Sequence, residues 1–237
     1  MRRGLEIGAI GLRAGALAMN VVTGIGWITQ TESGCVRRPM RKPYSDMRSL
    51  RADLQGDSLF SYPIKGFGRF DRISQMSCCV AALAFHDAEM SYAEDRKQDI
   101  GILGTNADGC LQSNLDYFND FVVNGRTLGR ANYFVYTLPS IPMSQAAIHF
   151  KCRGPLLYLM FPNQPAASLL RHADKMILRG ESTAMLAVMA NQESAQSFMI
   201  RRVDDVSAKR MFQLAEVIEI AERGSPADEM ITALTNL

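Results

Sequence analysis

The sequence predicts an α/β fold in which helices cover both faces of a five-stranded mixed sheet. Near-continuous apolar runs of strand length occur at residues 156–161 and 183–190, and such runs are typical of strands buried on both faces. Segments with helical spacing of apolar residues separate the strands. The chain of 237 residues is 47% apolar and 21% charged, so it can bury a sizeable core.

Residues 20–29 predict the first strand, in which Gly24 and Gly26 let a neighbouring element approach closely. The following stretch, 30–66, is rich in prolines and charges. It predicts an irregular excursion with one short helix near 45–54. The basic run at 37–42 predicts a solvated loop rather than a phosphate-binding patch.

The middle of the chain predicts alternating helices and strands. Asp71 is a candidate N-cap for a helix with Ile73, Met76 and Val80 on one face. The segments that follow predict a strand at 99–106, a helix at 111–123, an aromatic-rich loop at 124–142 and a helix at 143–151.

Residues 154–181 predict a buried strand, a tight elbow and a helix. Pro165 suits the first helical position because its missing N–H costs nothing there, and Gly180 suits the position just after the helix. The amides and dipole of a helix N-terminus favour a thiolate or an oxyanion. This elbow nevertheless contains no Cys, Ser or Thr.

The rest of the chain predicts a strand at 183–190, an edge strand at 197–203, an amphipathic helix at 204–223 and a short final helix from Ser225-Pro226. We expect one domain at 19–203 with a helical tail, 204–237, packing on it. Met19 is the expected natural start, with residues 1–18 a disordered extension.

Composition excludes several classes of function. A net charge of +2 does not indicate a nucleic-acid or membrane partner. The five cysteines lack CxxC spacing and the three histidines are scattered, so we expect no metal, no cofactor, no disulfide framework and a cytoplasmic location. No stretch predicts a transmembrane helix.

Several segments together resemble the N-terminal half of β-ketoacyl synthases, the condensing enzymes of the thiolase fold. The segments are NVVTGIG at 20–26, FGRFDRISQM at 67–76, DIGI at 99–102, LPSIPMSQAAI at 138–148 with Arg153-Gly154-Pro155, and MILRGE at 176–181. No single motif is decisive, but their order and spacing are similar to the family's.

The departures from the family matter for function. The resemblance places Asn163 where the family has its nucleophilic Cys, and an amide is not nucleophilic at neutral pH. The family's catalytic histidines lie in its C-terminal half, which has no counterpart expected in 204–237. The pattern is similar to chain-length factors, which are inactive partners of a true ketosynthase, so we expect no condensing activity from this chain alone.

The resemblance also implies partners and an interface. The expected partner is a complete β-ketoacyl synthase in a type II fatty-acid or polyketide system of the aryl-polyene kind, with acyl carrier protein reached through the complex. The candidate interface and acyl-tunnel residues are Leu111, Phe118, Tyr133, Phe134, Met143, Leu156, Tyr158, Met160, Phe161, Asn163 and Gln164. For any single one of them, ordinary core packing is the alternative interpretation.

Two other functions remain open. Asn163 or Gln164 could act as an oxyanion donor in a residual malonyl-carrier-protein decarboxylase. Alternatively, the chain could bind an acyl chain or carrier protein as a homodimer.

Overall fold

The structure, a computed structural model, describes residues 19–127, 129–206, 211–224 and 226–237. The expected extension at 1–18 lies outside the described residues. The helices are α1 (Met47–Gly56), α2 (Arg72–Asp87), α3 (Leu111–Val123), α4 (Ala131–Phe134), α5 (Ile141–Phe150), α6 (Pro165–Leu178), α7 (Leu214–Glu222) and α8 (Ala227–Thr235).

The described strands form one mixed sheet of eight, in the order β3-β2-β1-β7-β6-β4-β5, with β8 also paired to β1. The strands are β1 (Asn20–Ile28), β2 (Glu32–Cys35), β3 (Met40–Pro43), β4 (Ile100–Thr105), β5 (Leu156–Tyr158), β6 (Ala184–Ala190), β7 (Ala195–Arg202) and β8 (Phe212–Gln213). Strands β5, β4 and β6 are parallel to one another, while β7 is antiparallel to both β6 and β1.

The prediction of five strands was wrong in number, although the α/β class is confirmed. The β2–β3 hairpin lies in the stretch predicted to be irregular. Its strands have four residues each and include Arg41, Lys42 and Pro43, so an apolar alternation is not visible in the sequence. Strand β8 has only two residues.

Two further predictions are corrected. Strand β7 was predicted at an edge, but it lies between β1 and β6, and its first six residues are buried. The helix predicted over 204–223 begins only at Leu214, because the chain first forms a 3₁₀ turn at Val203–Asp205 and then β8.

The local signals for helix boundaries are confirmed. The Asp71 carboxylate accepts a hydrogen bond from the Ser74 N–H at 3.0 Å and caps α2. Pro165 is the first residue of α6. Gly180 has a φ of +72° and follows that helix, a conformation that glycine adopts without strain.

The core lies on both faces of the sheet. Helices α1, α2 and α5 pack on one face, and α6, α7 and α8 pack on the other. Helix α2 contacts β1 so closely that a side chain at Gly26 would lie 2.6 Å from the Val80 carbonyl oxygen. The close approach expected at the β1 glycines is therefore confirmed.

One residue of the basic run is a core residue, which corrects the prediction of a solvated loop. The Arg37 guanidinium is buried and donates to the carbonyls of Thr23 and Asp87 at 2.9 and 3.0 Å. The buried Asp87 carboxylate in turn accepts from the backbone N–H groups of Ile25, Arg37 and Arg38. Burial raises the pKa of Asp87, and these hydrogen bonds offset part of that effect.

Candidate functional site

The order of strand, turn and helix is as predicted, but the prediction of a buried strand over 156–161 was wrong: β5 covers only Leu156–Tyr158, lies at the edge of the sheet and has no buried residue. Strand β5 ends at Tyr158, and the next N–H, of Leu159, still donates to the Gly104 carbonyl at 2.9 Å. The chain then turns, and Gln164 immediately before α6 has a left-handed conformation with a φ of +46°. A strained residue between a strand and a helix N-terminus is a feature of nucleophile elbows.

The side chains at the elbow carry no nucleophile. Asn163 is exposed, and its backbone carbonyl accepts a long hydrogen bond of 3.5 Å from the Ser168 hydroxyl. The Gln164 side-chain amide donates to the Glu222 carbonyl, at the end of α7, at 2.9 Å. Both side chains are amides, which do not form acyl intermediates at neutral pH.

Three of the free thiols are also poor nucleophiles. Burial raises the pKa of the Cys78 and Cys79 thiols on α2 and raises that of Cys152 to about 12. A thiol with a raised pKa is a poor nucleophile because little thiolate is present. Within the described ranges, no group of three or more His, Cys, Asp or Glu side chains has a metal-binding arrangement.

The two edges of the sheet differ sharply in chemistry. The outer strand β3 carries Arg41, Lys42 and Pro43, and its charged side chains pair with Glu32 and Asp57. Charge and proline at an edge oppose pairing with another chain. The opposite outer strand, β5, consists of Leu156, Leu157 and Tyr158 and has none of these protective features.

The apolar character of the β5 edge extends into the elbow. The Leu157 side chain is 44% exposed and that of Met160 is 71% exposed. Tyr158 is partly buried, and its hydroxyl donates to the side-chain oxygen of Asn106 at 3.0 Å, which fixes the loop before α3 beside β5.

Helix α3 has the inverse of the usual burial pattern. Its apolar residues Leu111, Leu115, Phe118 and Val122 recur at helical spacing, yet each is between 38% and 60% exposed. Its two buried residues are polar: the Ser113 hydroxyl donates to Asp71 at 2.8 Å, and Asp120 accepts from the Arg130 guanidinium. An amphipathic helix normally turns its apolar stripe to a core.

The neighbouring segment adds to this apolar surface. Phe134 of α4 packs edge-on against Tyr117 of α3, with ring centroids 5.7 Å apart. The Cys110 thiol, at the start of α3, donates to the Thr137 carbonyl in the 3₁₀ turn Val135–Thr137. We define the pairing surface as the β5 edge with Met160 and the exposed apolar side chains of α3, α4, α5 and this turn. It contains eleven exposed large apolar residues: Leu111, Leu115, Phe118, Val122, Val123, Phe134, Val135, Leu138, Ile148, Leu157 and Met160.

The structure distributes the sequence-predicted interface residues unevenly. Leu111, Phe118, Phe134 and Met160 are exposed on the pairing surface, and Asn163 and Gln164 are exposed at the elbow. Partly buried positions are occupied by Tyr133, Leu156, Tyr158 and Phe161. Met143 is a core residue, because α5 packs its side chain against Gly104 of β4.

Sequence reasoning missed several residues of this surface. Leu115 and Val122 complete the α3 stripe, and their spacing from Leu111 and Phe118 was a visible signal. Ile148 and Leu157 lie among other apolar residues in the sequence, so nothing in the pattern distinguished them from core.

Neither the scan of protein-family models nor the search of curated proteins gives a match. The fold is similar to that of the ishigamide ketosynthase/chain length factor, with a TM-score of 0.59, 13% identity, and coverage of 80% of this chain and 63% of the other. It is also similar to a type II polyketide synthase ketosynthase in complex with its acyl-carrier protein, with a TM-score of 0.54, 12% identity, and coverage of 79% and 59%.

A β-ketoacyl synthase from Burkholderia phymatum STM815 gives a TM-score of 0.54 at 14% identity, with coverage of 79% of this chain and 60% of that enzyme. The chain has the thiolase fold of the ketosynthases. This ketosynthase-like chain spans about three fifths of the length of the structures it matches. At this level of identity the similarity establishes the fold but not the activity, which depends on the residues of the site.

Among the helices that the structure describes, none is both long and apolar enough to span a bilayer.

Proposed function

We propose that this chain is a non-catalytic, chain-length-factor-like subunit that pairs with an active ketosynthase in type II fatty-acid or polyketide biosynthesis of the aryl-polyene kind. The observation that carries the proposal is the pairing surface, which combines an outer strand without charge or proline with the exposed apolar stripe of α3. Exposed apolar patches of this extent mark protein–protein contact sites.

The elbow supports the non-catalytic part of the proposal. It keeps the strand-to-helix geometry while presenting two amide side chains, Asn163 and Gln164. By the resemblance to ketosynthases, this elbow corresponds to the one that holds the family's nucleophile. The amide side chains present here cannot form an acyl thioester.

The pairing surface also supports the choice of partner. An edge strand pairs best with another extended edge of matched length and apolar character, and a second ketosynthase-like chain offers one. In such a pair the side chains of α3 and α4 would lie at the junction, where Phe118 and Phe134 could limit the depth of an acyl tunnel. Acyl carrier protein would then engage the complex rather than this chain alone.

The residual decarboxylase is a weaker candidate. An oxyanion donor must keep an N–H aimed at the developing charge, and one of the two N–H groups of the Gln164 amide already donates to the Glu222 carbonyl, which holds this side chain against the end of α7. If the isolated chain released CO₂ from malonyl-acyl carrier protein, and Gln164→Ala removed that activity, the non-catalytic proposal would be overturned.

Pairing is tested by co-expressing the chain with a complete ketosynthase from the same organism and measuring the mass of the purified complex by light scattering. We expect a 1:1 heterodimer. Leu157→Glu and Phe118→Glu should each weaken the complex by at least about 100-fold, because a buried unpaired carboxylate costs several kcal/mol.

The matched control is Leu178→Glu. Leu178 is also an exposed large apolar residue, but it lies at the C-terminal end of α6, the end opposite the elbow. It should leave the complex intact. A wild-type chain that elutes separately from the ketosynthase would exclude the heterodimer. A homodimer of the isolated chain that Leu157→Glu dissociates would favour the alternative of self-pairing.

A further inference from the structure

Helix α3 and the short elements that follow it lie outside the hydrophobic core. We define the outer unit as α3, α4 and the 3₁₀ turn Val135–Thr137. The two clusters of buried apolar residues that form the core include no residue of these elements. In α3 only Ser113 and Asp120 are buried, and in α4 and the turn no residue is buried. Because helices in proteins gain most of their stability by burying an apolar face, the outer unit lacks the usual source of stability.

The ends of α3 add little stability of their own. Cys110 occupies the N-cap position without a side-chain hydrogen bond to the first turn, whereas the Asp71 carboxylate caps α2. The first turn of α3 has no acidic residue and its last turn has no basic residue, so side-chain charges do not offset the helix dipole. A helix of thirteen residues is marginal in water unless tertiary contacts support it.

One side-chain hydrogen bond joins α3 to the body of the fold. The Ser113 hydroxyl donates to Asp71 Oδ2, at the start of α2, at 2.8 Å. The Asp120 carboxylate instead accepts from Asn124 and Arg130, which lie between α3 and α4. Among the described residues, Ser113 is the only residue of α3 whose side chain hydrogen-bonds to an element outside the outer unit. The Ser113–Asp71 bond therefore sets how α3 sits on the body.

The outer unit is not closely packed on the body beside this bond. A cleft of about 160 Å³ lies between the unit and the start of α2. Charged side chains line both walls, with Arg69 and Arg72 on the body and Asp116 on α3. Because the walls of a cleft are not in contact, they contribute little buried apolar area. Separation of the unit from the body is correspondingly cheap in free energy.

We propose that the outer unit opens locally in the isolated chain and that the partner subunit holds it closed. Elements with few buried apolar contacts open at lower free energy than the core does. Most of the exposed apolar residues of the pairing surface lie on the outer side of this unit, so a partner seated there supplies the apolar contacts that the body does not. A partner that binds only the closed form shifts the population to that form. The inference rests on the proposed pairing function and adds that pairing orders α3.

Hydrogen exchange of the full chain, followed by mass spectrometry, tests the opening. In the isolated chain the amides of α3 should exchange at least about 100-fold faster than those of α2 and α6, whose apolar faces are buried. In the complex with a complete ketosynthase, exchange of α3 should slow at least about tenfold, while exchange of α2 stays the same. If the isolated chain self-pairs, Leu157→Glu supplies the monomer for this measurement.

Ser113→Ala tests the bond that orients α3. Loss of the hydroxyl should speed the exchange of α3 in the isolated chain about tenfold, because the bond to the Asp71 carboxylate is charge-assisted. Exchange of α2 and α6 should not change. Ser113→Thr keeps a hydroxyl and should restore the wild-type rate. The matched control is Ser144→Ala, whose hydroxyl bonds to the Ser140 carbonyl at the start of its own helix and should leave α3 unaffected.

Two results would overturn the proposal. Exchange of α3 as slow as that of α2 in the isolated chain would show that the outer unit is stably packed. Equal exchange of α3 in the isolated chain and in the complex would show that the partner does not close it. If no complex forms, the pairing function fails and the closing step fails with it, while exchange in the isolated chain still decides whether the unit opens. The two failures are therefore distinguishable.

Discussion

At the scale of single residues, buried polar groups show where sequence patterns mislead. His149 lies on α5 with only 5% of its surface exposed, and its ring is 4.6 Å from that of Tyr62 and 4.8 Å from that of Phe150. Burial, together with the positive charge of Lys151, lowers the pKa of His149 to about 4. The neutral imidazole is therefore a structural group in this aromatic cluster, which the sequence pattern alone did not show.

His149 should make stability depend on pH. The unfolded chain binds a proton to this imidazole below about pH 6.5, whereas the folded chain resists protonation until about pH 4. Stability is therefore complete above the unfolded pKa and falls as the pH drops through this window. We expect a loss of about 2 kcal/mol between pH 7 and pH 5, measured by urea unfolding.

The variant His149→Phe isolates this contribution. It removes the titrating group while keeping an aromatic ring in the cluster, so its free energy of unfolding should fall less over the same pH range. If the variant kept the full wild-type slope, another group would be responsible.

At the scale of elements, α3 and β5 differ from the other elements because they expose apolar side chains to solvent. Helices α2 and α6 turn their apolar residues to the sheet. Helix α3 is instead held by Ser113 and Asp120, and its apolar stripe faces outward. A phenylalanine of α5 therefore stabilises the core, whereas a phenylalanine of α3 is exposed and adds little to the stability of the isolated chain.

Two phenylalanine substitutions measure this contrast. Phe150→Ala, in the core, should lower the free energy of unfolding by about 3–5 kcal/mol because it leaves a cavity. Phe118→Ala, on the pairing surface, should change it by less than about 0.5 kcal/mol in the isolated chain. Chemical unfolding of both variants beside the wild type gives the comparison. A large loss for Phe118→Ala would mean that α3 buries this side chain in the isolated chain.

At the scale of the whole molecule, the C-terminal helices are part of the core. Six large apolar side chains of α7 and α8 are buried against α6 and the sheet: Leu214, Val217, Ile220, Met230, Ile231 and Leu234. Each contributes about 1.5–3 kcal/mol of burial. Their sum is comparable with the whole stability of an ordinary domain, about 5–15 kcal/mol.

Removal of α7 and α8 should therefore abolish cooperative folding. We expect residues 19–206 alone to show no cooperative thermal transition by circular dichroism. Removal of only Asn236 and Leu237, which are exposed, should leave the midpoint close to that of the full chain. A cooperative transition in the truncated chain would mean that the sheet does not need α7 and α8.

Much of the fold could be predicted because its signals are local. The apolar run of β6, the Asp71 cap, Pro165 and Gly180 each act within one element and its ends. The β2–β3 hairpin and the interior place of β7 depend on pairing with distant strands, so local patterns could not reveal them.

The sequence by itself determined the α/β class, the elbow and the absence of a nucleophile at that elbow, because residue chemistry and helix-end signals are properties of short segments. Tertiary structure alone decided which apolar residues are core and which form a surface. Met143 and Phe118 are equally apolar in the sequence, yet packing buries the first against Gly104 and leaves the second in solvent. Burial depends on what lies across the fold, and that is set only when the strands pair and the layers close.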